Sequence, residues 1–422
     1  MNKAIAFDKA TVLSYADAGE YWQQRISRLG LSSPESTSLV MPNDISALAE
    51  VVCQAAEQKW QLIPSGKGSK LDWGGLTDID LILSTQKCDR IIHHAVDDLT
   101  VTVEAGITLD KLQETLSAAK QFLPIDPAFP HSATIGGILA TADTGSLRHR
   151  YGGIRDLVLG VSFVRGDGKI AKAGGKVVKN VAGYDLMKLL IGSYGTLGII
   201  TEVTFRTYPL PTDSQTLILT GKPEAIAEAI ARLRNSGLTP TAADLVSPGV
   251  SNKLGIADGY AFIVRFQTIP ESITAQTQQL KDMVAELDIA IATNQEADLW
   301  QQLQISTTPD SETTICKVGI LPQKAMTLLQ QITAKDPSYR GIIHIGSGIG
   351  RIELHQASPQ TLQEIRNTCN ANQGFLTVLS APLELKQQVD IWGCSGNALN
   401  MMRTIKNKFD PQGIFSSDRF IV

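Results

Sequence analysis

Two glycine-rich segments contain residues that could hold a phosphate or lie against a flat ligand. The first begins at Pro64 and ends at Ser69, and its glycines let backbone N–H groups approach a phosphate closely. It is not a P-loop, because the spacing to Lys and Ser/Thr is wrong, and it is not a dinucleotide fingerprint, because no long helix follows. Taken alone, the segment is as consistent with an ordinary turn as with a phosphate site.

The second segment extends from Ala133 to Thr141 and contains the pair Gly136 and Gly137. Paired glycines among small side chains would let the chain lie flat against a large planar ligand. Close packing of a helix or a strand is the alternative explanation for the same residues.

Two further motifs follow in the sequence. One extends from Arg150 to Gly160, and the other from Lys179 to Leu186 with a continuation from Gly192 to Glu202. Each could be purely structural, but the order and spacing of all four segments are hard to obtain by chance.

Regular elements must position these segments. Helical spacing of apolar residues predicts a helix that begins at Asn43 or Asp44, and a short strand over 61–63 leads into the first glycine segment. Strands are predicted over 80–83, 90–96 and 100–104, and Thr108 should cap the next helix. The stretch from Phe122 to Gly145 is predicted to be irregular and to wrap a ligand.

The remaining elements are two strands over 157–164 and 169–173, a helix over 185–191 and a strand over 199–205. Pro209 and Pro211 then indicate a linker. Beyond it, strands over 216–219, 260–266, 313–320 and 341–344 are interleaved with helices over 223–234, 271–287 and 323–332. This order predicts an α+β sheet with helices on one face, and no internal repeat is visible.

Composition limits the classes of function. A chain of 422 residues with 43% apolar content is expected to form two domains. Its 38 basic and 42 acidic residues show no long basic run, so nucleic acid is not an expected partner. The N-terminus has no signal-peptide pattern and no apolar run is long enough to span a membrane, which predicts a cytoplasmic protein. The five cysteines are isolated, which argues against an iron–sulfur or zinc site in this chain.

The four motifs together resemble the FAD domain of flavoproteins of the vanillyl-alcohol-oxidase and p-cresol-methylhydroxylase (PCMH) type, over residues 36–211. Within that superfamily they are most similar to the 2-hydroxyacid branch and to glycolate oxidase FAD-binding subunits. The ending from Phe409 to Phe415 also resembles that branch. The resemblance implies a two-domain α+β flavoprotein: a PCMH-type FAD-binding domain (36–211), an α+β, ferredoxin-like cap domain (212–393) and a C-terminal segment (394–422) that returns to the FAD domain.

The resemblance also implies which residues bind FAD. Some relatives attach the flavin to a His just inside the first loop, but residues 66–73 contain none, so FAD should be bound noncovalently. The implied cofactor-binding residues are Pro64, Ser65, Gly66, Lys67, Gly68, Ser69, Thr134, Ile135, Gly136, Gly137, Thr141, Gly145, Gly195, Thr196, Leu197 and Ile200.

The cap domain contains two candidate catalytic residues, His344 and Arg351. Metal-assisted relatives carry G-H-x-G-D-G-N-x-H here, but this chain has Ser347, Ile349 and Arg351 at the acidic, amide and second His positions. No metal site is therefore expected. His344 could be a general base, or simply a packed His on a strand. Arg351 could bind a substrate carboxylate through its guanidinium fork, or be structural.

The function implied by the resemblance is oxidation of a small 2-hydroxyacid to a 2-oxoacid. Because the chain lacks cysteine clusters, its electrons would leave through a partner, an iron–sulfur subunit, beside a sister flavin subunit. Peripheral contact with the inner membrane is left open. Two alternatives remain: an FAD-containing subunit for electron transfer or assembly that does not turn over substrate, and a stand-alone FAD oxidase of an alcohol or a sugar acid.

Overall fold

The computed structural model describes residues 7–175, 184–292, 295–306, 312–394 and 396–420. These residues form sheets of four, five and eight strands and one two-stranded pair. The helices in these ranges include none that is long and apolar enough to cross a membrane. Residues 179–183 of the fourth sequence motif lie outside the described ranges.

The four-stranded sheet carries the first glycine segment in the connection between its parallel strands β3 (Leu62–Ser65) and β4 (Leu81–Ser84), of which β3 is an edge strand. Asp44 caps the second helix of this region, as predicted, because its Oδ1 accepts a hydrogen bond from Ala47 N at 2.8 Å. The elements are β1 (Ala10–Ser14), α1 (Gly19–Ser27), β2 (Ser38–Pro42), α2 (Ile45–Gln58), β3 (Leu62–Ser65) and β4 (Leu81–Ser84), with sheet order β1-β2-β4-β3. The glycine segment therefore follows the carboxyl end of β3.

The five-stranded sheet is antiparallel throughout and has the order β5-β6-β10-β8-β9. Its strands are β5 (Ile91–Ala95), β6 (Thr100–Glu104), β8 (Val158–Val164), β9 (Ile170–Gly174) and β10 (Ile199–Arg206), and the separate pair is β7 (Gln121–Phe122) with β11 (Tyr208–Pro209). The helices are α3 (Leu109–Ala118), α4 (Ile135–Thr141), α5 (Arg148–Tyr151), α6 (Ile154–Leu157) and α7 (Met187–Leu190).

The structure corrects two predictions in this region. The stretch from Phe122 to Gly145 is not irregular throughout, because Thr134 caps α4 by accepting a hydrogen bond from Gly137 N at 3.4 Å. The apolar residues Ile135, Ile138 and Leu139 anchor this short helix in the core. The helix predicted over 185–191 is shorter, since α7 has four residues.

The third sheet has eight antiparallel strands and begins at Asp213. The predicted division at residues 211 and 212 remains a prediction. The elements are β12 (Asp213–Thr220), α8 (Pro223–Arg234), β13 (Ala242–Val246), α9 (Pro248–Lys253), β14 (Ala261–Thr268), α10 (Pro270–Met283), β15 (Asp288–Ala292), α11 (Glu296–Ile305), β16 (Thr314–Gly319), α12 (Ala325–Thr333), β17 (Arg340–His344), β18 (Ile349–Leu354), α13 (Pro359–Ala371) and β19 (Phe375–Ser380).

This sheet consists of two units with the same topology, although no repeat is visible in the sequence. The first unit, β12 to β15, has the order β15-β12-β14-β13, and the second, β16 to β19, has the order β19-β16-β18-β17. Each is a β-α-β-β-α-β unit, which agrees with the predicted ferredoxin-like cap. The units join where β13 pairs with β17. Apolar residues of α8, α10, α12 and α13 cover one face of the sheet.

The C-terminal segment packs against the four-stranded sheet. Helix α14 (Leu383–Lys386) precedes this segment, which contains α15 (Asn397–Phe409). Phe415 then pairs with Leu62 of β3 through an isolated bridge. The Lys406 ammonium donates hydrogen bonds to Thr196 O at 2.9 Å and Phe415 O at 2.8 Å. The last described residues therefore lie beside the glycine segments.

Candidate functional site

A cleft of about 710 Å3, here called the glycine cleft, brings together three segments that are far apart in the sequence. The loop after β3 forms one wall, α4 forms the second and the segment before β10 forms the third. The lining residues are Pro64, Ser65, Gly66, Lys67, Gly68, Ser69, Lys70, Leu71, Thr85, Ala133, Thr134, Gly136, Gly137, Ala140, Thr141, Tyr194, Gly195, Gly198, Ile199, Ile200 and Arg419.

The backbone of this cleft fits an anionic ligand. Among the hydrogen bonds of the described residues, none is donated by the N–H groups of residues 66–69. These four successive donors line the cleft, and such runs of N–H groups bind phosphate groups. A Cβ on Gly66 would lie 2.0 Å from Thr134 Oγ1. Only glycine therefore lets the loop approach α4 this closely.

Most residues predicted to bind FAD line this cleft, and four do not. Ile135 and Leu197 point into the core, and the Thr196 hydroxyl donates to Ser193 O at 2.7 Å. Gly145 lies in a different cleft, where its N–H donates to Asp126 Oδ1 at 3.1 Å. The direct contacts of all these residues with FAD stay predictions.

Nine of the residues that line the glycine cleft were not predicted from the sequence to bind FAD, and three of them are polar groups that could contact a ligand. Lys70 follows the predicted loop directly and could have been included on that ground. Tyr194 has a left-handed backbone with a φ of 52°, and the sequence gives no sign of this conformation. Arg419 comes from the far end of the chain, and its Nη2 donates to Lys70 O at 2.9 Å. No local signal could have assigned Arg419 to this cleft.

A second cleft of about 330 Å3, here called the inner cleft, lies between the glycine cleft and the eight-stranded sheet. It shares Thr141 and Tyr194 with the glycine cleft. Its other lining residues are Trp73, Asp143, Thr144, Lys317, His344, Ile349, Gly350, Arg351 and Leu379. A ligand in the glycine cleft can therefore adjoin a second ligand held by the sheet.

Strand pairing places the two predicted catalytic residues at this inner cleft. Arg351 of β18 lies opposite Lys317 of β16 and opposite Ile342 of β17. His344 lies two residues beyond Ile342 and therefore on the same face of the sheet. The structure thus brings His344 and Arg351 together and adds Lys317, which was not predicted.

His344 forms a pair with Asp244, which was also not predicted. The two residues lie opposite each other across the seam between β13 and β17, and His344 Nδ1 is 2.8 Å from Asp244 Oδ1. Ser146 donates its hydroxyl to the other Asp244 oxygen. Burial by itself lowers the pKa of His344, but the charge and hydrogen bond of Asp244 outweigh burial, and the pKa is raised.

Asp126 adds a further carboxyl near His344. Burial raises the pKa of Asp126 to about 6, against the charge of His344 and the Leu147 N–H, which lower it. Leu147 N donates to Asp126 Oδ2 at 3.1 Å. Both residues line a third cleft, about 1040 Å3 in volume, that shares Thr144, His344 and Arg351 with the inner cleft. This third cleft continues the inner cleft on the side away from the glycine cleft.

The inner cleft carries more positive than negative charge. Asp143 is 2.7 Å from Lys70 Nζ and 2.9 Å from Arg351 Nη2. Within the described part of the chain, the Lys317 ammonium has no ion-pair or hydrogen-bond partner. Burial lowers the pKa of Lys317, while the charge of Asp143 opposes that shift. An anion bound beside Lys317 and Arg351 would therefore gain two charged donors.

The comparisons with known proteins agree with this geometry. Residues 37–174 match the family of FAD binding domains, so the chain contains an FAD binding domain. The glycolate oxidase subunit GlcE of Escherichia coli is 39% identical over 176 residues, which are 40% of this chain and 49% of GlcE. The glycolate oxidase subunit GlcD of Bacillus subtilis is 35% identical over 184 residues, 43% of this chain and 39% of GlcD.

Similarity extends to a further enzyme and to a solved structure. The mitochondrial D-lactate dehydrogenase [cytochrome] of Arabidopsis thaliana is 35% identical over 179 residues, 42% of this chain and 31% of the enzyme. The chain spans half or less of the length of these curated relatives. A structure of alkyldihydroxyacetonephosphate synthase covers 89% of this chain and 75% of its own, with a TM-score of 0.67 and 16% identity. This last likeness shows that the two chains share a fold, in agreement with the predicted α+β fold class.

Proposed function

We propose that this chain is the FAD-dependent subunit of a 2-hydroxyacid dehydrogenase and that glycolate or a close homologue is its substrate. The observation that carries the proposal is the junction of the two clefts, because the FAD binding domain opens directly onto a pocket with an acid-base pair and an excess of cations. The similarity to glycolate oxidase subunits and to D-lactate dehydrogenase supports the same reaction class.

In this proposal Lys317 and Arg351 bind the substrate carboxylate. They lie opposite each other on neighbouring strands, and Asp143 holds Arg351 in place through a 2.9 Å ion pair. A guanidinium and an ammonium on one face can each donate to a carboxylate oxygen. This contact would orient the C2 carbon toward the glycine cleft.

His344 would accept the proton of the C2 hydroxyl. Its Nδ1 contacts Asp244, which leaves Nε2 as the nitrogen free to take the proton. The raised pKa of His344 means that the neutral, active form appears only at higher pH than for an ordinary His. As the proton leaves, the C2 hydride departs and the product is a 2-oxoacid.

The residues of the glycine cleft fit FAD. The N–H groups of residues 66–69 would bind the diphosphate, and bound FAD supplies the acceptor for the hydride. No His follows within residues 66–73, so we propose noncovalent binding. The buried Arg419 guanidinium, whose Nη1 has no partner among the described residues, is a further donor in the same cleft.

We also propose that electrons leave this chain through partner subunits. Among the described residues, the five cysteines are free and dispersed. The similarity to two proteins named as glycolate oxidase subunits supports a complex with several chains. An iron–sulfur subunit and a sister flavin subunit are the partners that we propose.

A second candidate function is an FAD-containing electron-transfer subunit beside a catalytic sister chain. The observation that favours it is the segment from His344 to Arg351, which carries Ser347 and Ile349 where metal-assisted relatives carry an acid and an amide. The described residues include no group of three His, Cys, Asp or Glu that could hold a metal.

An anaerobic absorbance titration tests both candidates. The purified chain, loaded with FAD, is mixed with glycolate, D-lactate or L-lactate, and we expect one of them to bleach the flavin. His344→Asn should slow bleaching, whereas His93→Asn, an exposed His on β5, should not. Bleaching only when sister subunits are added would support the second candidate. An oxidised flavin under every condition would contradict both.

A further inference from the structure

Arg419 is a buried cation that lines the glycine cleft and has an unpaired donor. Its exposure is 6%, and its Nη2 donates to Lys70 O at 2.9 Å. Within the ranges that the structure describes, its Nη1 is buried and has no hydrogen-bond partner. A buried charged donor is costly to leave unpaired, so Nη1 is suited to an acceptor on a ligand in the cleft.

The surroundings of Arg419 place it where the glycine cleft meets the inner cleft. Its neighbour Phe420 stacks on Tyr194 with ring centroids 5.2 Å apart, and Tyr194 lines both clefts. Lys70, whose carbonyl accepts from Arg419, forms an ion pair with Asp143 of the inner cleft. Arg419 therefore lies at the end of the glycine cleft where substrate and cofactor would meet.

Neighbouring contacts fix the position of Arg419. Its carbonyl accepts hydrogen bonds from Gly75 N at 2.9 Å and from Trp392 Nε1 at 3.2 Å. A Cβ on Gly74 would lie 2.7 Å from that carbonyl oxygen. These contacts hold the backbone of Arg419, and the hydrogen bond from Nη2 to Lys70 O orients the guanidinium before any ligand binds. A charge fixed in this way is preorganised.

We infer that Arg419 faces the ring of bound FAD and stabilises its reduced form more than its oxidised form. The inference rests on the proposed binding of FAD in the glycine cleft. Uptake of a hydride, which is two electrons and one proton, leaves one negative charge on the ring. A fixed cation beside that charge binds the reduced cofactor more tightly and raises the reduction potential. The diphosphate has other donors, the N–H groups of residues 66–69.

The test compares Arg419→Met with Arg419→Lys in the FAD-loaded chain. We expect Arg419→Met to weaken binding of the reduced form about tenfold or more relative to the oxidised form, which lowers the potential by about 30 mV for each factor of ten. Affinity for sulfite, which also adds negative charge to the ring, should fall in parallel. Arg419→Lys should recover most of both losses, because it keeps the charge.

Two control variants separate charge beside the ring from simple damage to the C-terminal segment. Asp418→Asn removes a charge from the exposed neighbouring residue and should leave the potential unchanged. Lys406→Met loosens the same segment and should weaken oxidised and reduced FAD equally. If Arg419→Met fails to fold, Arg419→Gln is the second neutral variant, since its amide can still donate to Lys70 O.

The readouts need no substrate, so they are independent of 2-hydroxyacid oxidation. A potential and a sulfite affinity unchanged in Arg419→Met, with both redox forms of FAD bound equally less tightly, would overturn the inference and assign Arg419 to the diphosphate. A wild-type chain that takes up no FAD would overturn the proposed function as well.

Discussion

Replacement of Lys406 by Met should destabilise the chain and loosen the cofactor site at once. Lys406 is 6% exposed and donates to Thr196 O, to Phe415 O and to Asp410. Asp410 is 2% exposed and would lose its countercharge. Through these contacts, α15 holds the segment that leads into β10 and lines the glycine cleft.

The magnitude follows from the burial of this ion pair. Removal of one partner of a buried pair costs about 3–5 kcal/mol. Two backbone carbonyls also lose a donor, at about 1 kcal/mol each, but Asp410 keeps the N–H groups of Ile414 and Phe415 as partners. We therefore expect a loss of about 3–5 kcal/mol in the free energy of unfolding. The affinity for FAD should fall about tenfold or more, since each loss of about 1.4 kcal/mol in binding free energy raises the dissociation constant tenfold.

Urea unfolding of the apoprotein and fluorescence titration with FAD measure the two effects. Asp410→Asn and the double variant complete a double-mutant cycle, and we expect a coupling energy of about 1–3 kcal/mol between the two side chains. A loss below about 1 kcal/mol in the free energy of unfolding of Lys406→Met would refute the reasoning that this pair connects the C-terminal segment to the cofactor loop. Additive effects of the two single variants in the double variant would refute it as well.

Three further predictions concern the site itself. Asp244→Asn should slow flavin reduction by about 10²–10⁴-fold in stopped-flow traces. The pH at which the reduction rate rises should also move to a lower value, because burial then lowers the pKa of His344 unopposed by Asp244. A rate that rises at the same pH as in the wild type would contradict this. Since that pKa is raised in the folded wild type, the pair stabilises the fold below the ordinary pKa of His and loses this effect as pH rises, so the variant should lose most stability in acid. Lys317→Met should raise the KM for the hydroxyacid about tenfold or more, with the exposed Lys172→Met as control; an equal KM would remove Lys317 from the carboxylate site. Gly66→Ala should weaken FAD binding, because its Cβ would meet Thr134 Oγ1 at 2.0 Å, whereas Gly237→Ala has open space and should bind normally.

Local signals in the sequence predicted β3, β10 and the helices α2 and α3, but not α4, which forms one wall of the glycine cleft. Asp44 and Thr108 cap helices as expected, because a side-chain oxygen just before an apolar helical pattern satisfies free N–H groups. The glycine loop follows β3 at the position expected. The boundaries of the predicted strands differ from the structure by up to three residues, since strand ends depend on pairing partners that the local sequence does not reveal. The strands β13 and β18, which carry Asp244 and Arg351, were not predicted.

Long-range contacts explain what the sequence could not predict. Asp244 and His344 are one hundred residues apart, and only the pairing of β13 with β17 brings them together. Arg419 reaches Lys70 across almost the whole chain. Lys317 was detectable in part, because a lysine between Cys316 and Val318 interrupts an apolar strand. Such a charge in a buried strand indicates a special environment without naming its partner.

The duplicated topology of the cap explains why these residues meet where they do. β13 is an edge strand of the first unit and β17 is an edge strand of the second. Their pairing joins the two units into one eight-stranded sheet. Asp244 and His344 therefore sit at the seam, where each unit contributes one member of the pair.

Strand alternation then assigns the polar residues to one side of that sheet. Ile343, Cys316 and Ile352 point into the helix-covered core, so their neighbours His344, Lys317 and Arg351 must point to the opposite face. That face is the one turned toward the glycine cleft, as the shared lining residues Thr141 and Tyr194 show. A shift of one residue in the register of β17 would move His344 into the apolar core. The apolar packing of the cap thus fixes both the fold and the side on which chemistry can occur.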